Sequence, residues 1–368
     1  MQFLDLPTQQ NRIRESLKKR INDILNHGSY IMGPEIGELE KQLSDYCNIK
    51  HVISCSSGTD ALLIPLMAWG IGPGDAVFTT TFTYVATAEV IALLGATPVF
   101  IDVYESTFNM DCEKLELTIQ KTISDGKLSP KAIISVDLFG LPARYRLIEK
   151  IGKKYGLKIL EDAAQSFGAS IGDKKVGTFG DIAATSFYPA KPLGCYGDGG
   201  AIFTNNDDLA EKCKAIRIHG TKDDKHNSEL IGLNGRLDSI QAAVLLEKLT
   251  IFDEELDLRQ EISNQYMTNL KNCQYIPNNY ISSYALFSIL FESEEERNGT
   301  IEQLKQNHIP TAIYYKYPIH LMKAFSYLGY QEGDLPVSEK LSKTILSLPM
   351  HPYLSKNDIK KVIKNIKK

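Results

Sequence analysis

The feature that most constrains this chain is an alternation of short apolar runs with helical stretches. Runs at 51–55, 76–80, 98–103, 131–138, 159–162 and 183–187 read as strands. Helical spacing covers the segment after Ser57, then 83–94, 143–155 and 209–218. Strands and helices alternating at this length imply a mostly parallel sheet with right-handed crossovers, an α/β fold. An amphipathic helix over 8–27, ending at Gly28, and a second over 36–46 precede the pattern. After about residue 250 the pattern changes to long charged helices and a few strands, including 284–291. The 368 residues suffice for two cores, so we expect a large domain over 1–248 and a smaller C-terminal α/β domain over 249–368. The lysine-rich end spaces Ile359, Val362, Ile363 and Ile366 as one face of a solvated helix.

Within that frame the run from Ile159 to Gly200 concentrates unusual chemistry. Its strand ends on Glu161 and Asp162, and an ionised carboxylate at the end of a buried strand needs a partner. That end of an open α/β sheet is also where ligands bind. Gln165 follows, then Ser186 on the next strand, then Lys191 on a loop leading into Gly197-Asp198-Gly199-Gly200. An acid, a hydroxyl and a lysine on neighbouring strand ends are what pyridoxal phosphate chemistry requires: a Schiff-base amine, a partner for the ring nitrogen and a phosphate ligand. A bare Asp and Lys pair fits solvated surface charge equally well. Ser57, Gly58, Thr59 and Asp60 place N–H groups and hydroxyls at a helix start, suited to an anion and equally to an ordinary N-cap. Tyr84 sits where a ring can stack on a planar heteroaromatic. Asp102, another strand-end acid, reads as part of a solvated turn, and His219 as a helix-end cap.

Composition narrows the classes. A net charge of −4 argues against nucleic acid as the main partner. Six cysteines lie scattered without metal-ligand spacing to the seven histidines, which fits a reduced, cytoplasmic setting and no structural metal. The N-terminus is polar within ten residues and no apolar run is long enough to span a bilayer, so neither a signal peptide nor a membrane partner is expected.

LEDAAQSFGA (160–169), GTFGDIA (177–183), SFYPAKPLGCYGDGGAIFTN (186–205) and NGRLDSIQAA (234–243) resemble the DegT/DnrJ/EryC1/StrS sugar aminotransferases, fold-type-I pyridoxal phosphate enzymes with an aspartate-aminotransferase-like fold. The similarity runs from FLDLPTQQ at 3–10 to SLPMHPYL at 347–354. It implies Lys191 as Schiff-base lysine and proton shuttle, and Asp162 on the pyridinium nitrogen. Gln165 would meet the ring hydroxyl, Tyr84 would stack on the ring, and Gly58, Thr59 and Ser186 would hold the phosphate. Asn234 would reach the phosphate of a neighbouring subunit, giving a homodimer with shared active sites. Tyr30 and Met32 become candidate substrate-wall residues, Arg236 a candidate for a carboxylate or phosphate, and Tyr314 and Tyr315 candidates for sugar contacts. The implied reaction moves an amino group, with glutamate the expected donor, to a UDP- or dTDP-linked keto sugar. The resemblance is strongest to enzymes that aminate C3 of UDP-2-acetamido-2-deoxy-3-oxo-D-glucuronate for surface polysaccharide. Where those relatives have His-Tyr-Pro, this chain has Ala312 to Pro318 with a short insertion, so a UDP-3-oxo-N-acetylglucosamine or a keto-6-deoxy sugar stays open. A sugar dehydrase of the same fold would lack Lys191. A non-catalytic regulator would lose its substrate loops, and a module that only binds nucleotide sugars has no use for Asp162 and Lys191 together.

Overall fold

A computed structural model describes residues 1–222, 224 and 226–366. Asp223 and Lys225 of the polar stretch 221–229, and Lys367 and Lys368 of the lysine-rich end, lie outside the described residues. The N-terminal part is helix α1 (Leu6–His27) and helix α2 (Pro34–Cys47). Asp5 caps α1 by accepting from Thr8 N, and Gly28 ends it at φ 70°, a conformation cheap for glycine. Then come β1 (His51–Cys55), α3 (Gly58–Ala68), β2 (Asp75–Thr80), α4 (Ala86–Leu93), β3 (Thr97–Ile101), α5 (Cys112–Asp125), β4 (Ser129–Val136), α6 (Tyr145–Tyr155) and β5 (Lys158–Asp162). A short ribbon, β6 (Ser170–Ile171) and β7 (Lys174–Lys175), precedes β8 (Ile182–Ser186), β9 (Gly200–Thr204) and α7 (Asp207–Arg217). The chain continues with α8 (Ser239–Asn269), β10 (Tyr280–Ile281), β11 (Phe287–Leu290), α9 (Glu294–Gln306), α10 (Pro336–Thr344), β12 (Ile345–Leu348) and α11 (Lys356–Ile366).

The central sheet has seven strands in the order β1-β9-β8-β5-β4-β2-β3. β9 runs antiparallel to both its neighbours and the other pairings are parallel, as the alternation predicts. Ile53, Val77, Ile134, Leu160, Ile182 and Ile202 face a core with α3, α4 and α7. The residues between them, such as Val52, Phe203, Phe78 and Ile159, face α1, α2, α5, α6 and the first half of α8. Near-continuous apolar strands are what a sheet covered on both faces demands.

The expected division at 248/249 falls inside α8. Its first half, through Phe252, packs on the sheet, and Ile262 and Tyr266 enter a separate core with β11, β12, α9 and α11. One rod therefore serves both parts. Asp102 departs from expectation. It is 1% exposed, not solvated, because its carboxylate receives Val337 N, Ser338 N and Ser338 Oγ at the start of α10. No helix is long and apolar enough to cross a membrane among the described residues.

Candidate active site

The C-terminal ends of β2, β4, β5 and β8 converge on a cavity of about 440 Å³. Strand alternation decides what enters it. Asp162 lies on the same face as Leu160 and points into the cavity, whereas Glu161 turns to the opposite face. Asp162 is 4% exposed. Its Oδ2 accepts from Thr87 Oγ1 at 2.8 Å and its Oδ1 from Ala164 N at 3.2 Å. Burial raises its pKa, against the pull of those two donors and of Lys191. A cationic ring nitrogen would relieve that burial cost, so the site fits a protonated heteroaromatic.

Lys191 lines the same cavity from the loop after β8, its backbone N–H held by Tyr188 O at 2.8 Å. Among the described residues its Nζ has no hydrogen-bonded partner. Burial lowers its pKa, partly offset by the Asp162 charge. A depressed pKa leaves more of the neutral, nucleophilic amine near neutral pH.

The same cavity holds an anion cradle. Ser57 caps α3 by accepting from Asp60 N at 3.0 Å. Gly58 and Thr59, as its first two residues, have N–H groups with no intrahelical acceptor, at the positive end of the helix dipole. Ser186 closes the cradle so tightly that a Cβ on Gly58 would stand 2.6 Å from the Ser186 Cβ. Glycine is therefore required at 58.

Tyr84 also borders the cavity, 59% exposed and so free to stack. Gln165 Oε1 accepts from Phe139 N at 2.8 Å and its Nε2 donates to Tyr315 Oη at 2.7 Å, leaving one amide proton for a ligand. Burial pushes the Tyr315 phenol far up, so it is a hydrogen-bonding group and not a base. Tyr314 lines the wall beside it, the two rings 5.7 Å apart edge-on.

One chain thus gathers Gly58, Thr59, Tyr84, Asp162, Gln165, Ser186, Lys191, Tyr314 and Tyr315 around one cavity. It does not gather Tyr30, Met32, Asn234 and Arg236. Arg236 Nε and Nη2 donate to Asn234 Oδ1 at 3.0 and 2.6 Å. Ser239 N donates to Tyr30 O at 2.9 Å and Ile31 bridges Asp238, so these segments form one surface strip. Tyr30, Ile31, Met32 and Ile240 make that strip apolar and exposed. It lies close behind the cradle, because Ser56 N donates to Gly235 O at 3.0 Å.

Sequence reasoning missed several residues. Thr87 holds Asp162, and Thr83 Oγ1 lies 3.3 Å behind it. The hydroxyl-rich TTFTYVAT was the only hint, because their aim depends on how α4 packs over β2 and β3. Phe3 and Leu4 also reach the cavity wall, from a segment with no periodicity. Glu161 accepts from Gly177 N and Phe179 N at 3.0 and 2.9 Å, and with Asp137 it forms a buried acid pair away from the cavity. Burial raises both carboxyls, Asp137 to about 7. His219 is exposed at φ 64° and outside the cavity.

A family model described as "DegT/DnrJ/EryC1/StrS aminotransferase family" matches residues 11–367. The UDP-2-acetamido-2-deoxy-3-oxo-D-glucuronate aminotransferase of Pseudomonas aeruginosa is 45% identical over 364 residues, covering 98% of each chain. The crystal structure of a DegT DnrJ EryC1 StrS aminotransferase from Brucella abortus superposes with TM-score 0.97 at 50% identity, covering 100% of this chain and 98% of that one. NtdA from Bacillus subtilis with bound cofactor PMP superposes with TM-score 0.90 at 28% identity, covering 100% of this chain and 84% of that one. With the cradle, the strand-end acid and the lysine meeting in one cavity, the chain belongs to the DegT/DnrJ/EryC1/StrS aminotransferase family.

Proposed function

We propose that the protein is a pyridoxal-phosphate-dependent aminotransferase that moves an amino group from glutamate to a nucleotide-linked keto sugar. The first candidate substrate is UDP-2-acetamido-2-deoxy-3-oxo-D-glucuronate, aminated at C3 in the cytoplasm for surface polysaccharide. The observation that carries the chemistry is that Asp162 and Lys191 line one cavity, near enough to act on each other's charge, together with the N-terminus of α3.

Each residue then has a task. The N–H groups of Gly58 and Thr59 and the Ser186 hydroxyl bind the cofactor phosphate. Asp162 holds the proton on the ring nitrogen, and Thr87 orients the carboxylate for it. The remaining Gln165 amide proton meets the ring hydroxyl, and Tyr84 covers the ring. The bound cofactor supplies an electrophilic carbon for the amine and a ring that accepts the electron pair of a carbanion. Lys191 would hold the cofactor through its amine, and that amine would move the proton at the donor Cα. Its burial favours the neutral form that both tasks need. If borohydride fixed the cofactor on Lys174 or Lys175 instead of Lys191, this reading would be overturned.

We further propose a homodimer in which the strip carrying Asn234, Arg236, Tyr30 and Met32 completes the partner's site. Its exposure and its place behind the cradle support this. Mixing Asn234→Ala with Lys191→Ala chains tests it, since one site of each heterodimer then carries neither lesion. Random pairing should restore about a quarter of wild-type activity. No recovery, or full activity in a monomer, would refute it.

One observation favours a second substrate reading. Among the described residues, the cavity wall of a single chain carries no cation besides Lys191. A substrate carboxylate would have to be met by Arg236 across the dimer, through a bidentate fork. Without that contact the substrate would be an uncharged 3-oxo-N-acetylglucosamine or a keto-6-deoxy sugar, hydrogen-bonded by Tyr314. Glutamate plus a panel of UDP- and dTDP-keto sugars, with the new amine located by NMR, separates the two readings.

A further inference from the structure

The loop that carries Lys191 is held from behind by a polar stripe on α8. The loop leaves β8 at Phe187 and returns to β9 at Gly200. It folds on itself: Cys195 N donates to Phe187 O at 2.7 Å, and Phe187 N to Gly199 O at 2.8 Å. Gly194 lies so close to the start of the loop that a Cβ there would stand 2.6 Å from Tyr188 O and 2.7 Å from Pro189 O. Two of its polar groups, Tyr196 N and Gly194 O, point outward to α8. Tyr196 N donates to Gln241 Oε1 at 2.8 Å. Lys248 Nζ donates to Gly194 O at 2.5 Å and sits 4.6 Å from the centre of the Tyr196 ring.

Gln241 and Lys248 are seven residues apart and share one face of the helix. Lys248 is 1% exposed. Taking an ammonium out of water is costly, and among the described residues no carboxylate is hydrogen-bonded to it. The negative charge that acts on it, Glu255, stands seven residues further along the same face and is engaged by Gln9 Nε2 and Tyr353 Oη. Burial lowers the Lys248 pKa to about 8, partly offset by Glu255. A buried cation spent on one loop carbonyl and one ring is an expensive way to fill a core, and a leucine would fill it more cheaply.

We infer that Gln241 and Lys248 are positioning residues that hold the 187–199 loop so that Lys191 stays presented to the cavity. The inference rests on the role proposed for Lys191, and it extends that role to a helix outside the cavity. Amide hydrogen exchange on the cofactor-free protein tests the clamp without reference to catalysis. In Lys248→Met, the 194–197 amides should exchange about tenfold faster or more, with the central strands unchanged. In the same variant, the rate at which added pyridoxal phosphate becomes fixed to Lys191 by borohydride should fall by a similar factor, and Lys248→Arg should restore part of it. Gln241→Leu, at the half-buried rim of the stripe, should loosen Tyr196 alone, and it carries the test should Lys248→Met fail to fold. Unchanged exchange at 194–197 in a folded variant would overturn the inference. So would faster exchange spread evenly over the sheet, or a loosened loop with a normal fixation rate. Labelling of another lysine in the wild type would instead strike the role of Lys191, and the exchange result would still judge the clamp.

Discussion

Two aspartates end parallel strands of the same sheet, Asp162 just at the end of β5 and Asp102 just past β3, and both are buried. Asp102 is saturated. It accepts from Val103 N, Val337 N, Ser338 N, Ser338 Oγ and Lys114 Nζ, all at 2.6–3.1 Å. Burial alone would raise its pKa, but the donors from Ser338 and Lys114 win and hold it below the usual carboxylate range. Asp162 receives two donors, one of them long, and burial wins, so its pKa is raised. The difference separates an acid that holds the fold together from one left short of partners for a ligand. The supply of donors differs, five on Asp102 against two on Asp162, and Asp162 also lies deeper in the protein, so burial weighs more on it.

The largest expected break of this comparison is in turnover. Asp162→Ala should cut it by roughly 10³-fold or more, since a lost buried ion pair of a few kcal/mol is worth about tenfold per 1.4 kcal/mol. Near-normal turnover would remove the functional half of the contrast. Stability should move differently. In the cofactor-free protein near neutral pH, Asp162→Ala should cost little or even stabilise, because a raised folded pKa means that the ionised form is penalised by folding. Urea denaturation of the cofactor-free protein reads this directly.

Asp102→Ala should do the reverse, losing about 3 kcal/mol of stability by stranding buried donors around α10, with turnover per folded molecule kept. Its pH signature has a definite sign. The folded pKa lies below the unfolded value, so the Asp102 contribution is fully present above the unfolded pKa of about 3.9 and is lost as pH falls through the folded one. A gap between wild type and Asp102→Ala that stayed constant down to acid unfolding would contradict the assignment.

Why one acid was legible in the sequence and the other was not follows from where the donors come from. Asp162 shares a forty-residue stretch with Gln165, Ser186 and Lys191, so its chemistry could be read locally. The partners that define Asp102 arrive from Val337 and Ser338, more than two hundred residues later, and nothing near it announces them. The parallel sheet was legible because apolar strands and helices alternate without interruption. The division between the two parts was less so, because α8 is regular through 248 and only its neighbours change. The roles given to Tyr30, Met32, Asn234 and Arg236 rest on resemblance alone. In a single chain their side chains do not line the cavity, and that of Asn234 accepts from Arg236.

The smallest expected effect is the sharpest probe of the contrast, because it removes one donor from the acid with few. Thr87 gives its proton to Asp162 Oδ2 at 2.8 Å, so the 3.3 Å contact with Thr83 makes Thr83 the donor to Thr87. The chain from Thr83 through Thr87 to Asp162 fixes which carboxylate oxygen remains open to the cavity. Thr87→Val keeps the shape and deletes the hydroxyl. It should lower turnover about tenfold, the worth of one hydrogen bond to a charged group, while substrate KM moves little. With one donor fewer, the Asp162 pKa should rise further, so the acidic limb of the turnover profile should shift toward higher pH. Thr87→Ser, which keeps the hydroxyl, should restore both turnover and the limb. Turnover that falls with the limb unmoved would make Thr87 a packing residue, and Asp162 would then have to be oriented by Ala164 N alone.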